Sequence, residues 1–417
     1  MNEDLLEPYQ SAYRAGHSTE TALNAVHNFI TTKLDDDHYV LLVLLDLSSA
    51  FDTVNHEILL ERLQSRYGLR GTVLSWFTSY ITDRYQKVKI GDRLSPPRHL
   101  CTGVPQGSVL GPVLFSLYIA ELSDVIRQHG VHFHHYADDT QLLLSFDKDD
   151  TQHAFGRMET CIADVNKWLT THQLKLNCDK TEFIVFHSRF SNITPVFPSL
   201  SVGSDTVNIS TTVRDLGAFF DRTMSLEHHV LTLCRSANWQ LRRISRLRKY
   251  LDNKTCEILV HAFVTSKLDF LNSLLIGLPD TILHKLQKIQ NTAARIVRGK
   301  GRKFHATPLL KDLHWLPISY RIKYKILLLA FRAHRMDEPV YLSNCISPYI
   351  PTRNLRSSGQ SYLTIPKPRL KTYGYRSFEY TAASLWNQLP DNILTCTELS
   401  TFKCSLKTYF FSCCYGE

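Results

Sequence analysis

The sequence predicts an α+β fold, an antiparallel sheet with helices packed on it followed by a mainly helical region. Three observations predict it. Tyr39–Leu45 is apolar enough for a fully buried strand, and so is Gln141–Phe146. Between and beside these runs, apolar residues recur at helical spacing. After Asp221 the pattern becomes almost wholly helical and rich in Arg and Lys.

Taken in order, Ser18 is placed to cap a first helix. Ala22, Leu23, Val26, Phe29 and Ile30 follow at helical spacing, and Asp35-Asp36-Asp37 ends it. The buried strand ending at Asp46 comes next. Helices fit Ile58 to Tyr67, closed by Gly68, and Val73 to Ile81. Alternation over Tyr85–Ile90 predicts a strand bounded by Gly91-Asp92. Gly103–Gly107 reads as a loop, with Ser108 positioned to cap a helix through Leu114, Leu117 and Ile119. Val131–Ala137, Asp138-Asp139 and Gln141–Phe146 then predict a tight hairpin with acids at its tip. A long helix fits Phe155, Met158, Ile162, Val165, Trp168 and Leu169. Strands follow at Phe183–Phe186 and near Leu216–Phe220, with a surface loop at 191–204 between them. In the helical region, Leu241, Ile244, Leu247 and Leu251 are placed to face a core, leaving Arg242, Arg243, Arg246 and Lys249 outward. Leu283, Leu286, Ile289, Ala293 and Ile296 repeat that arrangement, with Lys285, Lys288, Arg295 and Arg298 outward. From Pro348 onward, Pro and Ser rise and the chain reads as irregular with short strands. Boundaries fall near 222 and 303, giving segments 1–222, 223–303 and 304–417.

The acids are the informative residues. If the two apolar strands lie side by side, Asp46, Asp138 and Asp139 converge at one sheet edge. Carboxylates that close repel, and one or more protonates unless a cation sits between them. Such hard oxygen ligands suit Mg²⁺, and two such ions held by shared carboxylates are the apparatus of nucleotidyl transfer. Either acid motif alone also fits a turn or a strand-end cap. His132, His134 and His135 have no recurring acid or Cys partner and read as structural.

Composition narrows the class. The chain has 417 residues, 43% hydrophobic and 21% charged, enough for two or three domains. Lys plus Arg number 48 against 39 Asp plus Glu, and the resulting +9 favours a polyanionic partner. The acidic start, Met1-Asn2-Glu3-Asp4, is unlike a signal peptide, and the apolar runs are short of a membrane span. The ten cysteines show no Cys-x-x-Cys pair or zinc spacing and read as reduced thiols. Location in the nucleus or cytoplasm, without secretion or a membrane partner, is expected.

Five motifs in order carry a resemblance. Leu45–His56, Gly103–Pro112, Tyr136–Asp139, Asn177–Thr181 and Leu216-Gly217 resemble the successive motifs of non-LTR (LINE-type) retrotransposon reverse transcriptases. Leu274–Pro279 and Leu313–Pro317 resemble segments downstream of the polymerase in these elements, so the likeness covers nearly the whole chain. It implies a right-hand polymerase palm, then a helical thumb over 223–303 and a C-terminal region. It implies an RNA-directed DNA polymerase that extends a DNA primer on an RNA template with dNTPs. Asp46, Asp138 and Asp139 would hold two Mg²⁺ ions, or Mn²⁺, with the Leu47 carbonyl as a further ligand. Lys180 would serve the departing pyrophosphate, although a solvated turn lysine fits that position equally well. Phe51 matches the family's steric gate against ribose, its alternative being an ordinary core aromatic. Pro105, Gln106 and Gly107 would line the nucleotide, and Leu216-Gly217 would form the primer-grip turn. Arg14, Arg242, Arg243, Arg246 and Lys249 would meet nucleic acid.

The resemblance also has gaps. The basic fingers segment and the endonuclease of the family are not found before Leu5. Gln10–Arg14 matches the end of the fingers region, with Ala12 where the family usually has Gly. An N-terminally truncated element is therefore expected, and with it an alternative: an inactive remnant that only binds nucleic acid.

Overall fold

The structure, a computed structural model, describes residues 6–190, 196–203, 205–350 and 361–416. The chain gathers into two compact units. The first holds residues up to Ala15, Tyr39–Val185 and the stretch ending at Ser210. The second holds Gly16–His38, a short stretch from Phe186, and Thr211 onward.

The first unit is built on a four-stranded sheet. Its strands are β1 (Tyr39–Leu45), β2 (His132–Tyr136), β3 (Asp139–Phe146) and β4 (Glu182–Phe186), in spatial order β2-β3-β1-β4. β1 and β3 pair antiparallel over their whole length, from Tyr39 opposite Phe146 to Leu45 opposite Thr140. Both faces of β1 are covered, which is why its sequence is apolar without alternation. Val40, Leu41, Leu42 and Val43 are fully buried, and helix α1 (Thr151–Thr171) packs Phe155, Met158, Ile162 and Val165 into one core with Leu41 and Val43.

The predicted strand over Tyr85–Ile90 divides. Arg84–Gln86 pairs with Arg98–Leu100, while Lys89-Ile90 pairs with Arg93-Leu94. The alternation there does not reflect a buried face: Tyr85, Val88, Ile90 and Leu94 are all more than half exposed.

The second unit is mainly helical. Its first helix, Thr19–Asp35, starts in a capping box: Ser18 accepts from the Thr21 N–H, and the Thr21 side chain accepts from the Ser18 N–H. A hairpin of β5 (Thr212–Asp215) and β6 (Ala218–Asp221) precedes helices α2 (Glu227–Leu247) and α3 (Asp280–Val297). The strand expected near Leu216–Phe220 is thus the second arm of a hairpin, and Leu216-Gly217 is its turn. Leu247, expected in the core, is 51% exposed: the α-helix ends there and a 3-10 turn, Arg248–Tyr250, continues it in a different register.

The C-terminal stretch is more regular than its composition suggests. Ser377 caps a helix over Phe378–Trp386, and Leu399–Tyr415 forms another. Phe378, Trp386, Phe402 and Leu406 are buried in one core with Phe331. Prolines such as Pro390 stand at helix starts, where a missing N–H costs no intrahelical bond, rather than inside helices. Part of the expected 191–204 loop and residues 351–360 lie outside the described residues. Among the described residues, no helix is long and apolar enough to cross a membrane.

Candidate active site

The acidic edge follows from strand register. β1 ends at Leu45 opposite Thr140, so one further step along the ladder sets Asp46 beside Asp139. Tyr136 pairs with Asp139, leaving Ala137-Asp138 as a two-residue hairpin turn. Ala137 takes a left-handed φ of 57°, a conformation that costs a non-glycine residue about 1 kcal/mol. The buried Gln10 side chain answers both backbone groups of this residue. Its Oε1 accepts from the Ala137 N–H at 2.9 Å, and its Nε2 donates to the Ala137 carbonyl at 3.2 Å. The neighbouring backbone runs along β2, with Gln10 bridged to His135. Gln10 is thus a positioning residue to which the sequence pattern assigns no role. Its only signal is its place at the head of Gln10–Arg14, the segment that matches the end of the fingers region.

Burial, and the charge of Asp46, push the Asp138 carboxyl above its ordinary value, with Lys180 pulling the other way. Asp139 goes up to about 6, driven by burial, then by Asp138 and Asp46. Asp138 and Asp139 therefore both feel the charge of Asp46. Asp46 is further held by Lys180, whose Nζ lies 3.3 Å from its Oδ2, and by the Asn177 amide, which donates to the same oxygen at 3.3 Å. The backbone makes that placement firm. Asn177 N–H donates to the Asp46 carbonyl, Ser48 N–H donates to the Lys175 carbonyl, and Leu47 bridges to Leu176. Asn177–Thr181 is thereby fixed against the end of β1.

Among the described residues, no group of three His, Cys, Asp or Glu side chains is arranged to hold a metal ion as it stands. The donor set nevertheless fits a hard divalent cation. It consists of carboxylates alone, their charges are mutually unfavourable, and one lysine is their compensating cation. The Leu47 side chain is buried.

The glycine-rich loop packs on the segment after Asp46. Gly103 N–H donates to the Val54 carbonyl and Val104 N–H to that of Phe51. A Cβ at Gly103, whose φ is +92°, would meet the Asp52 carbonyl oxygen at 2.9 Å, so the approach requires glycine. The Gln106 amide donates to Asp52 Oδ1 at 2.8 Å, and the Pro105 carbonyl accepts from Ser108 Oγ. Gly107 has φ of +75° and open space around it. Phe51 is half-buried and stacks on Phe115 at 4.5 Å between centroids.

Arg14 is half-buried and donates to the Glu7 and Gln10 carbonyls. His134 bonds Ser11, and His135 bonds Ser123 and Thr140. Burial holds the His135 ring down to about 3, with the Arg127 charge adding to the effect, so it is neutral as a structural histidine should be. In the second unit, Leu216 and Gly217 form the β5–β6 turn at φ of 42° and 94°. A Cβ at Gly217 would meet the Phe270 ring at 3.0 Å. Arg242, Arg243, Arg246 and Lys249 are exposed.

A sheet edge carrying converging acids, with Lys180 of the adjoining loop against Asp46 and a glycine-rich loop against the first strand's exit, fits a polymerase palm. The reverse transcriptase (RNA-dependent DNA polymerase) family matches residues 1–227, and the chain belongs to that family. Its curated relatives include RNA-directed DNA polymerases of transposable elements. It is 25% identical over 366 residues to a probable RNA-directed DNA polymerase from transposon BS of Drosophila melanogaster, covering 85% of this chain and 39% of that protein. The RNA-directed DNA polymerase from the mobile element jockey of Drosophila melanogaster is 22% identical over 313 residues, 73% of this chain and 33% of its own length. The chain therefore spans less than half of either relative. Among solved structures, telomerase from Candida albicans aligns over 77% of this chain and 54% of its own, at 13% identity and a TM-score of 0.37.

Proposed function

We propose that this chain carries the nucleotidyl-transfer site of an RNA-directed DNA polymerase, extending a DNA primer with dNTPs on an RNA template. The observation that carries the reading is the strand register that brings Asp46, Asp138 and Asp139 to one sheet edge, with Lys180 3.3 Å from Asp46. Asp46, Asp138 and Asp139, with the Leu47 carbonyl, are the groups that would hold two Mg²⁺ ions, or Mn²⁺ in their place. When bound, such ions lower the pKa of a primer hydroxyl and neutralise phosphate charge.

The other residues have proposed tasks of their own. Lys180 is available to hold or protonate the departing pyrophosphate. Phe51, carried on the loop after Asp46, would crowd a ribose 2′-hydroxyl. Pro105, Gln106 and Gly107 would border the incoming nucleotide, with Gly107 leaving room for close approach. Leu216-Gly217 would steady the primer. Arg14, Arg242, Arg243, Arg246 and Lys249 would neutralise backbone phosphates. We read the polymerase segment as ending near 222, the thumb as 223–303 and the remainder as a C-terminal region, acting in the nucleus or cytoplasm.

Incorporation of dNTPs on a poly-rA/oligo-dT template, with Mg²⁺ or Mn²⁺, tests this. The parent chain should incorporate label, and Asp46→Ala should fall to background. If Asp46→Ala incorporates as the parent does, the catalytic reading fails. A parent with no incorporation but retained nucleic-acid binding would leave only a binding protein.

A further inference from the structure

Two helices and a loop of the second unit form a basic groove that no local sequence pattern assembles. The groove encloses about 650 Å³ and is lined by Arg242 and Arg246 of α2, Arg295 of α3, and Lys300 and Arg302 of the loop that follows. No acidic side chain lines it. Among the described residues, none of these five cations is ion-paired to a carboxylate. Its walls are fixed: Arg248 Nε donates to the Ile296 carbonyl at 2.8 Å and Nη2 to that of Val297 at 3.1 Å, tying the end of α2 to the end of α3. Arg295 Nε donates to the Phe304 carbonyl at 2.8 Å, anchoring the loop. Cations held together this way without carboxylate partners cost electrostatic free energy unless a polyanion meets them.

Exposed aromatic rings stand on α2, on the 3-10 turn that continues it and on the loop, outside the groove's own lining. Trp239 is 56% exposed and lies three residues before Arg242 and seven before Arg246, on one helix face. Tyr250 is 75% exposed, and Phe304, on the loop, is 43% exposed. Each carries a basic side chain over its ring: Arg243 at 4.6 Å from Trp239, Lys249 at 4.7 Å from Tyr250, and Lys300 at 5.4 Å from Phe304. A duplex keeps its bases stacked on one another and offers such rings nothing to stack against. An unpaired strand offers phosphates to the cations and base faces to the rings.

We propose that this groove binds an unpaired polynucleotide strand, its phosphates on Arg242, Arg246, Arg295, Lys300 and Arg302 and its bases on Trp239, Tyr250 and Phe304. The proposal rests on the reading that the chain acts on nucleic acid, and it assigns the occupant of this face to single-stranded rather than paired substrate.

Fluorescence anisotropy of the whole chain, without nucleotides or catalysis, separates the two claims. The probes are an RNA strand, a DNA strand and an RNA–DNA hybrid, each about 12 nucleotides long, within the range such platforms cover. Trp239→Ala should weaken strand binding roughly tenfold, the loss expected for one stacked base, and leave hybrid binding unchanged. Arg246→Ala with Arg302→Ala should lower the dependence of log K on log salt by about 1.4, at roughly 0.7 per phosphate of a single strand. Trp239, Arg246 and Arg302 are all exposed, and circular dichroism checks that the variants fold. Tighter binding of the RNA strand supports a template-like occupant, and tighter binding of the DNA strand supports the same groove with a DNA occupant. Unchanged strand affinity in Trp239→Ala, or an equal loss on the hybrid, overturns the proposal while leaving the polymerase reading intact. A parent that binds none of the three probes overturns the proposal and the nucleic-acid reading together.

Discussion

The acidic edge of the first unit and the basic groove of the second are both concentrations of one charge, assembled by different physics. At the acidic edge Asp46 and Asp138 are half-buried and Asp139 stands at the rim, exposed on its outer side, all three held by ladder register and a two-residue turn. Their charges act through protein as well as water, and Asp139 responds by rising to about 6. In the groove the cations stand on solvent-facing helix and loop surfaces, where water and salt screen them. Clustered charge of one sign that is partly desolvated implies a counter-ion held as part of the site, whereas solvent-facing charge of one sign implies a partner that comes and goes with salt.

The largest expected effects break the comparison on the acidic side. Asp138→Asn keeps the turn geometry yet removes a charged ligand, so nucleotide incorporation should drop to background while the melting temperature stays within a few degrees of the parent. A variant that melts normally and incorporates normally would remove Asp138 from the chemistry. Next comes the support beneath it. Gln10→Leu preserves volume but leaves the Ala137 N–H and carbonyl without their side-chain partners, each worth about 1–3 kcal/mol when buried. Incorporation and urea stability should fall together, by roughly 2–4 kcal/mol in stability. Loss of incorporation with full stability would recast Gln10 as a group that contacts substrate.

A third prediction sharpens the contrast by pH. His27, in the first helix of the second unit, is fully buried, and burial, then the Arg376 charge, lowers it from 6.5 to about 3. Its folded pKa lies below its unfolded one, so the unfolded chain binds the extra proton. The stability is present above pH 6.5 and is lost as pH falls from 6.5 toward 3, at up to about 1.4 kcal/mol per unit. Between about pH 7 and pH 5 the loss should be about 2 kcal/mol by urea unfolding. His27→Leu should flatten that part of the curve, and an unchanged slope would mean that another group sets it. The smallest effect concerns the hairpin again. Ala137→Gly should relieve the left-handed strain and raise stability by at most about 1 kcal/mol, because glycine's greater unfolded entropy offsets part of the gain. A clear destabilisation would mean the alanine methyl is packed more tightly than its backbone is strained.

What is legible in the sequence divides along the same line. The acid motifs can be read because an apolar run without alternation marks a doubly covered strand and acids between such runs mark a hairpin, although the turn itself falls one residue earlier, at Ala137-Asp138, with Asp139 opening β3. The contact between Asn177–Thr181 and Asp46 is open only to resemblance, since it spans 131 residues and rests on backbone bonds no local pattern encodes. Gln10 is hidden for the same reason: its partner lies 127 residues away, and a single buried amide has no periodic signature. In the second unit, spacing shows the faces of α2 and α3 but not their mutual placement, so Arg242 and Arg246 read as a stripe on one helix rather than one wall of a groove. Leu247 departs from its expected place because periodicity does not announce where an α-helix tightens into a 3-10 turn. The helices that follow Ser377 are obscured because proline before a helix and proline inside one look alike in composition, as Pro390 before Asp391–Leu394 illustrates.

The central claim is that the acidic edge is a divalent-cation site. Titration of Mn²⁺ into the chain, followed by electron paramagnetic resonance, measures it without requiring catalysis. The parent should bind Mn²⁺, and Asp46→Asn and Asp139→Asn should each weaken binding about tenfold or more, since each removes a carboxylate ligand. Equal Mn²⁺ binding by the parent and both variants, with the fold retained, would contradict the claim.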